Sequence, residues 1–165
     1  MGPFLLSQIL AAGAFAVGIG SFQFKAKHSV FLCLFSFCIL NGSHFLLLNR
    51  PGPAALLFAI GVRYITAIFT TDRRVMYLFI TLNIGVFLAA YENGLGVLAL
   101  IASILGSIAS FQSTDRMVRL VMMAVTMLWI IHNTLARTPV AALMEAAFLG
   151  SNAISYWRFY LRRND

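Results

Sequence analysis

Charged positions fall so sparsely along this 165-residue chain that they mark out its apolar runs directly. Residues 1–24 and 28–49 contain no Asp, Glu, Lys or Arg, and residues 51–71 contain only Arg63. Residues 75–91, 93–114 and 120–136 are again free of charge, and 138–157 carries only Glu145. A helix crossing the roughly 30 Å hydrocarbon core needs about 20 residues, so the runs predict seven transmembrane helices. Their spans lie near 3–22, 29–48, 53–70, 75–91, 93–114, 120–136 and 138–157. The runs are continuous and do not alternate, which selects helices over barrel strands, because a helix satisfies its own backbone hydrogen bonds in lipid. A cleaved signal peptide is the alternative for the first run, but it has no basic segment ahead of it and reads as a retained helix.

Composition agrees and excludes a soluble globule: 61% of residues are hydrophobic and 10% charged, with a mean hydropathy of +0.88. The 12 Lys and Arg against 5 Asp and Glu give +7. So few charges cannot form a nucleic-acid groove, so the excess reads as membrane orientation. One set of loops holds Lys25, Lys27, Arg73, Arg74, Arg116, Arg119, Arg158, Arg162 and Arg163, nine cations, whereas the other holds Arg50, the Glu92 turn and Arg137. That asymmetry predicts an external N-terminus and a cytoplasmic C-terminus in a multi-pass inner-membrane protein. Tyr156, Trp157 and Tyr160 fall where an interfacial aromatic belt is expected. Cys33 and Cys38 lie five apart in one helix, which suits neither a disulfide nor a metal site, and no cofactor is implied.

The chain also repeats. At an offset of 89, Ser21-Phe22-Gln23 recurs as Ser110-Phe111-Gln112, Gly61 falls on Gly150, Arg63 on Asn152, and Arg73-Arg74 on Arg162-Arg163. Around the second turn of each half an offset of 88 aligns His44 with His132 and Pro51 with Pro139. Three helices per repeat is an odd number, so two parallel copies require an intervening span. The predicted plan is 3+1+3: a first bundle over 1–74, a linker helix over 75–92, and a second bundle with a short tail over 93–165.

Polar residues inside the spans are the candidate chemistry. Arg63 lies midway along the third span, where a charge costs on the order of 3 kcal/mol, and reads either as a solute or anion contact or as one member of a buried pair with Glu145 or helix carbonyls. Glu145 suits proton uptake or an interhelical bond, and Asn152 a solute contact or helix glue. His44 and His132, with Asn133, sit near the outer ends of matching helices and read chiefly as interfacial packing, with an outer gate or pH sensor as the other reading. Asn83 in the linker span reads as packing. Ala14 with Gly18 and Ser103 with Ser107 are small-residue pairs that let helix backbones approach. No catalytic constellation emerges, so the chain is not read as an enzyme.

Trp129-Ile130-Ile131-His132-Asn133, Pro139, Glu145 and Ser151-Asn152, with His44-Phe45-Leu46-Leu47 and Arg63, resemble the bacterial inner-membrane YgjV family over nearly the whole chain. That resemblance implies location and fold without a chemistry. More distantly, the 3+1+3 plan looks like the SWEET sugar transporters and the PnuC-type transporters of vitamin precursors, although the Pro-Gln signature of the wider group is missing. The leading expectation is a small-solute transporter or facilitator with a central site between the bundles, drawing on Arg63, Asn152, Glu145, His44, His132, Asn133 and Trp129. The alternative is a non-transporting scaffold, assembly or sensory protein. Expected partners are the lipid bilayer, a small polar solute and further copies of the chain, with no nucleic acid.

Overall fold

The computed structural model describes residues 2–89 and 94–162, and among these the regular structure is entirely helical. Seven α-helices follow one another: α1 (Pro3–Ser21), α2 (Lys27–Leu47), α3 (Pro51–Phe69), α4 (Arg73–Ala89), α5 (Leu95–Ser110), α6 (Asp115–Leu135) and α7 (Pro139–Tyr156). A π-helical turn, Trp157–Leu161, closes the described chain. Four of the helices, α1, α2, α3 and α6, are long and apolar enough to cross a membrane. The remaining three are shorter or more polar, with 17 residues in α4, 16 in α5 and 18 in α7. The Glu92 turn, the last residue of the expected linker span (Tyr91) and Arg163 lie outside the described residues.

The expected sixth span, 120–136, is five residues too short at its start: α6 begins at Asp115 and takes Arg116 and Arg119 into the helix. Thr114 caps that start, accepting a hydrogen bond from the Met117 N–H. The fifth helix is shorter than its apolar run, because Phe111 caps it and Gln112 turns back to the Ala109 carbonyl.

The chain divides into two compact units, Met1–Phe69 and Thr70–Asp165, so α4 groups with the second. In the first unit α2 is the central helix, packed on both α1 and α3. In the second, α6 is packed on both α5 and α7, and α4 lies along α5. Asn83 ties α4 to α5 by donating to the Ser103 carbonyl at 3.2 Å and to Ser107 Oγ at 3.0 Å, which is the packing role expected of it. Large apolar side chains face outward, among them Phe69, 82% exposed, and Leu88 and Leu143, both 71%. That surface belongs against lipid tails.

The repeat extends to details of packing. The α2 and α6 helices are both 21 residues long, and their bounds differ by 88 at either end. At that offset buried Val30, Phe31, Leu34 and Cys38 fall on buried Val118, Arg119, Met122 and Thr126. Both helices end in the same turn. In the first, the Arg50 N–H reaches the Phe45 carbonyl at 2.9 Å and the Asn49 N–H reaches Leu46 at 3.0 Å. In the second, Thr138 reaches Asn133 at 2.9 Å and Arg137 reaches Thr134 at 3.1 Å. Such turns need one residue with positive φ, supplied by Asn49 (55°) and Arg137 (56°), and Pro51 and Pro139 then begin the next helices. The offset of 89 that fits α1 and α5 changes to 88 in the first connection of each unit, residues 22–26 against 111–114.

Candidate functional site

In α3 the buried residues after Gly61 are Arg63, Tyr64 and Ala67; in α7 they are Ser151, Asn152 and Ser155. These match at 88, not at 89. The burial pattern therefore equates Tyr64 with Asn152 and Arg63 with Ser151, one residue away from the equivalence of Arg63 and Asn152 that the sequence suggested. The two neighbouring small residues, Gly61 and Gly150, had favoured the other register.

With that register the seams of the two units correspond. Between α2 and α3, Phe31 and Tyr64 face each other with ring centroids 5.3 Å apart. At the same place between α6 and α7 stand Arg119 and Asn152, joined reciprocally: Arg119 Nη1 donates to Asn152 Oδ1 at 3.3 Å, and Asn152 Nδ2 donates to the Arg119 carbonyl at 3.0 Å. Both are sealed from the surface, Arg119 being 2% and Asn152 1% exposed. The guanidinium lies 5.2 Å over the Phe159 ring, and Tyr160 is beside it. Charge spacing counts Arg119 among the loop cations; instead α6 begins at Asp115 and folds it inward. Helical periodicity with the 88 offset, placing it opposite buried Phe31, is the sequence signal that marks it as interior.

Arg63 is buried as expected, 5% exposed. Its guanidinium carbon lies 5.1 Å from the Tyr64 ring centroid. A close helix approach holds it there: a Cβ on Gly61 would lie 3.2 Å from Cys38 Cβ and 3.4 Å from the Phe35 ring, so α3 touches α2 with little between them. The neighbouring Gly42 is tighter, since a Cβ there would fall 2.5 Å from the Phe58 ring.

The other candidate residues sit elsewhere in their units. His44 crosses to α1, its Nδ1 2.8 Å from the Ser7 carbonyl. A carbonyl only accepts, so Nδ1 carries the proton, and the ring acts as an interhelical clamp. Trp129 stands edge-on to His132 at 5.2 Å, and His132 Nδ1 is 3.3 Å from Asn133 Oδ1. The Asn133 carbonyl also accepts from Thr138 Oγ1 at 3.0 Å, closing the α6–α7 turn. A shallow hollow of about 340 Å³ lies over this turn, lined by Asn133, Arg137, Thr138, Ala142 and Leu143 among others. Glu145 is half-buried on α7.

Within the second unit these residues therefore do not converge. Arg119 and His132 are 13 residues apart on one helix, about 20 Å along its axis, with Glu145 between those levels. The first unit is similar: Arg63 lies 12 residues beyond Pro51, about 18 Å along α3 from the end where His44 sits. Among the described residues no group of His, Cys, Asp and Glu is arranged to hold a metal ion.

Bilayer-length apolar helices with outward hydrophobic faces and guanidinium groups held between helices define a multi-pass helical membrane protein. A family model described as a bacterial inner membrane protein, Imp-YgjV, matches residues 5–163. The chain is also 32% identical over 176 residues to the inner membrane protein YgjV of Escherichia coli (strain K12), an alignment covering 100% of this chain and 92% of that protein. The chain belongs to this bacterial inner membrane protein family. No solved structure matches it.

Proposed function

We propose that the protein is a small-solute transporter or facilitator of the bacterial inner membrane, built on a 3+1+3 plan with its N-terminus outside. The observation that carries this reading is that each of the two units buries an arginine beside the seam of its second and third helices, Arg63 in one and Arg119 in the other. Burying a guanidinium in a bilayer-spanning helix costs about 3 kcal/mol on the lenient scale, and both are retained. Arg63, whose equivalent in the second unit is Ser151, is the candidate for meeting a solute. On this reading the chain moves its solute without transforming it. Duplicated helical units are the form in which alternating access is commonly built, which supports the same reading. The test is uptake into proteoliposomes across sugars, nucleosides and vitamin precursors, comparing wild type with Arg63→Gln. Uptake of one class that the variant loses while keeping its fold supports transport. No uptake of any class in either orientation refutes it.

The second reading is a non-transporting scaffold, assembly or sensory protein. It is favoured by the self-contained bonding of Asn152 with Arg119 and of His44 with Ser7, both of which join helices. Small residues on the exposed faces suit self-association in either case, and the mass of the protein in detergent decides whether it forms oligomers.

A further inference from the structure

The end of the second unit where α6 begins and α7 ends gathers Arg116, Arg119, Arg158 and Arg162 among aromatic rings. Arg116 on α6 donates from Nε to Tyr156 Oη at 2.9 Å, tying the two helix ends together. Arg158 stacks 4.5 Å from the Phe159 centroid and Arg162 5.5 Å from that of Trp157, so aromatic faces hold both guanidinium groups. Arg116, Arg158 and Arg162 are exposed. Behind them lies Arg119, fixed by Asn152, with Asp115 as the acidic group acting on it.

We propose that this corner is a binding site for the phosphate of an anionic phospholipid headgroup. The exposed arginines supply charge-assisted hydrogen bonds to the phosphate oxygens. A lipid is favoured over a free anion because the basic rim adjoins exposed apolar surface: Ile154 is 62%, Trp157 50% and Leu161 53% exposed. Headgroup and acyl chains each have a matching surface along the end of α7. The π-helical turn brings this about, since its wider winding re-aims Trp157, Arg158 and Arg162 relative to the α7 face that precedes it.

The experiment measures lipid adducts by native mass spectrometry, and thermal unfolding, on the full-length protein in an uncharged detergent. Phosphatidylglycerol and phosphatidylcholine with identical acyl chains are compared, with and without excess inorganic phosphate. Phosphatidylglycerol is expected to bind and stabilise selectively, and phosphate only to weaken it. Arg116→Gln with Arg158→Gln should lower that affinity about 25-fold, at roughly fivefold per cation, while the charge-matched Lys25→Gln with Lys27→Gln leaves it within about twofold. Equal binding of phosphatidylcholine, an equal loss in the Lys25 and Lys27 variant, or complete displacement by inorganic phosphate would each overturn the proposal.

Discussion

If the α6–α7 seam and the α2–α3 seam are two solutions to one packing problem, then the ring pair of the first should substitute for the polar pair of the second. The perturbation is Arg119→Phe together with Asn152→Tyr, which copies Phe31 and Tyr64. Asn152→Tyr alone removes two hydrogen bonds, of 3.3 and 3.0 Å, one of them to a guanidinium. Interhelical hydrogen bonds in membranes average about 0.6 kcal/mol, whereas stranding a member of a buried charged pair costs about 3–5 kcal/mol. Arg119 keeps the Phe159 face, so a loss of about 2–3 kcal/mol is expected, between these limits. Arg119→Phe alone leaves Asn152 Oδ1, in a side chain 1% exposed, without its guanidinium donor, while Nδ2 keeps the main-chain carbonyl of residue 119, and costs about 1–3 kcal/mol. The double variant removes both polar groups and gains a ring pair worth about 0.5–1.5 kcal/mol.

The site has room of the right kind, because Ser155 stands where the first unit has Ala67, a residue of similar size. The double variant should therefore lie within about 1 kcal/mol of wild type, giving a favourable coupling of about 2–6 kcal/mol. Reversible unfolding in mixed micelles, on wild type, both single variants and the double, reads this directly. Single effects that add to within about 0.5 kcal/mol would refute both the register at 88 and the equivalence of the two seams.

Arg137 adopts φ 56° where glycine or asparagine is preferred, so Arg137→Gly should raise stability by about 0.5–1 kcal/mol, whereas Asn49→Gly gains only a few tenths; thermal unfolding compares them. Gly42→Ala forces the Phe58 ring to move and should cost about 1–3 kcal/mol by the same measurement, whereas Gly52→Ala, with open space at its Cβ, should change little. Arg63→Met gives up the contact of the guanidinium with the Tyr64 ring and should cost about 0.5–2 kcal/mol by thermal unfolding; an unchanged stability would show that the guanidinium does not hold the fold. In a background with Cys33 and Cys38 replaced, a cysteine at Asn49 or Arg137 should react with an impermeant reagent added outside intact cells, and one at Lys25 or Arg116 should not. The reverse pattern would invert the proposed orientation.

Helix number and approximate position were legible because a run free of charge is a direct physical requirement of the bilayer, and α1 to α3 follow their runs closely. The start of α6 was not, because charge spacing treats every arginine as a boundary, and Arg119 is an arginine that another helix satisfies. The same limit affected the histidines. Their place near helix ends could be read from the sequence, but the partner of His44 is a backbone carbonyl of α1, which has no side-chain signature.

The register was misread for an instructive reason. The seam is where the two repeats have diverged most in chemistry, an aromatic pair standing opposite a guanidinium–amide pair, so identity there carries no alignment signal. Burial still does: at 88 every buried position from Arg63 to Ala67 finds a buried partner, and at 89 only Arg63 does. That one-residue shift separates two residues once grouped as equivalents. Asn152 corresponds to Tyr64 and completes a polar pair whose aromatic counterpart already fills the first unit. Arg63 corresponds to Ser151, a residue that cannot replace its charge. The first unit therefore fills its seam with Phe31 and Tyr64 and packs a buried guanidinium against that same Tyr64 ring. The second unit thus carries its guanidinium within the seam and the first carries its own beside it, which is why the two arginines do not align.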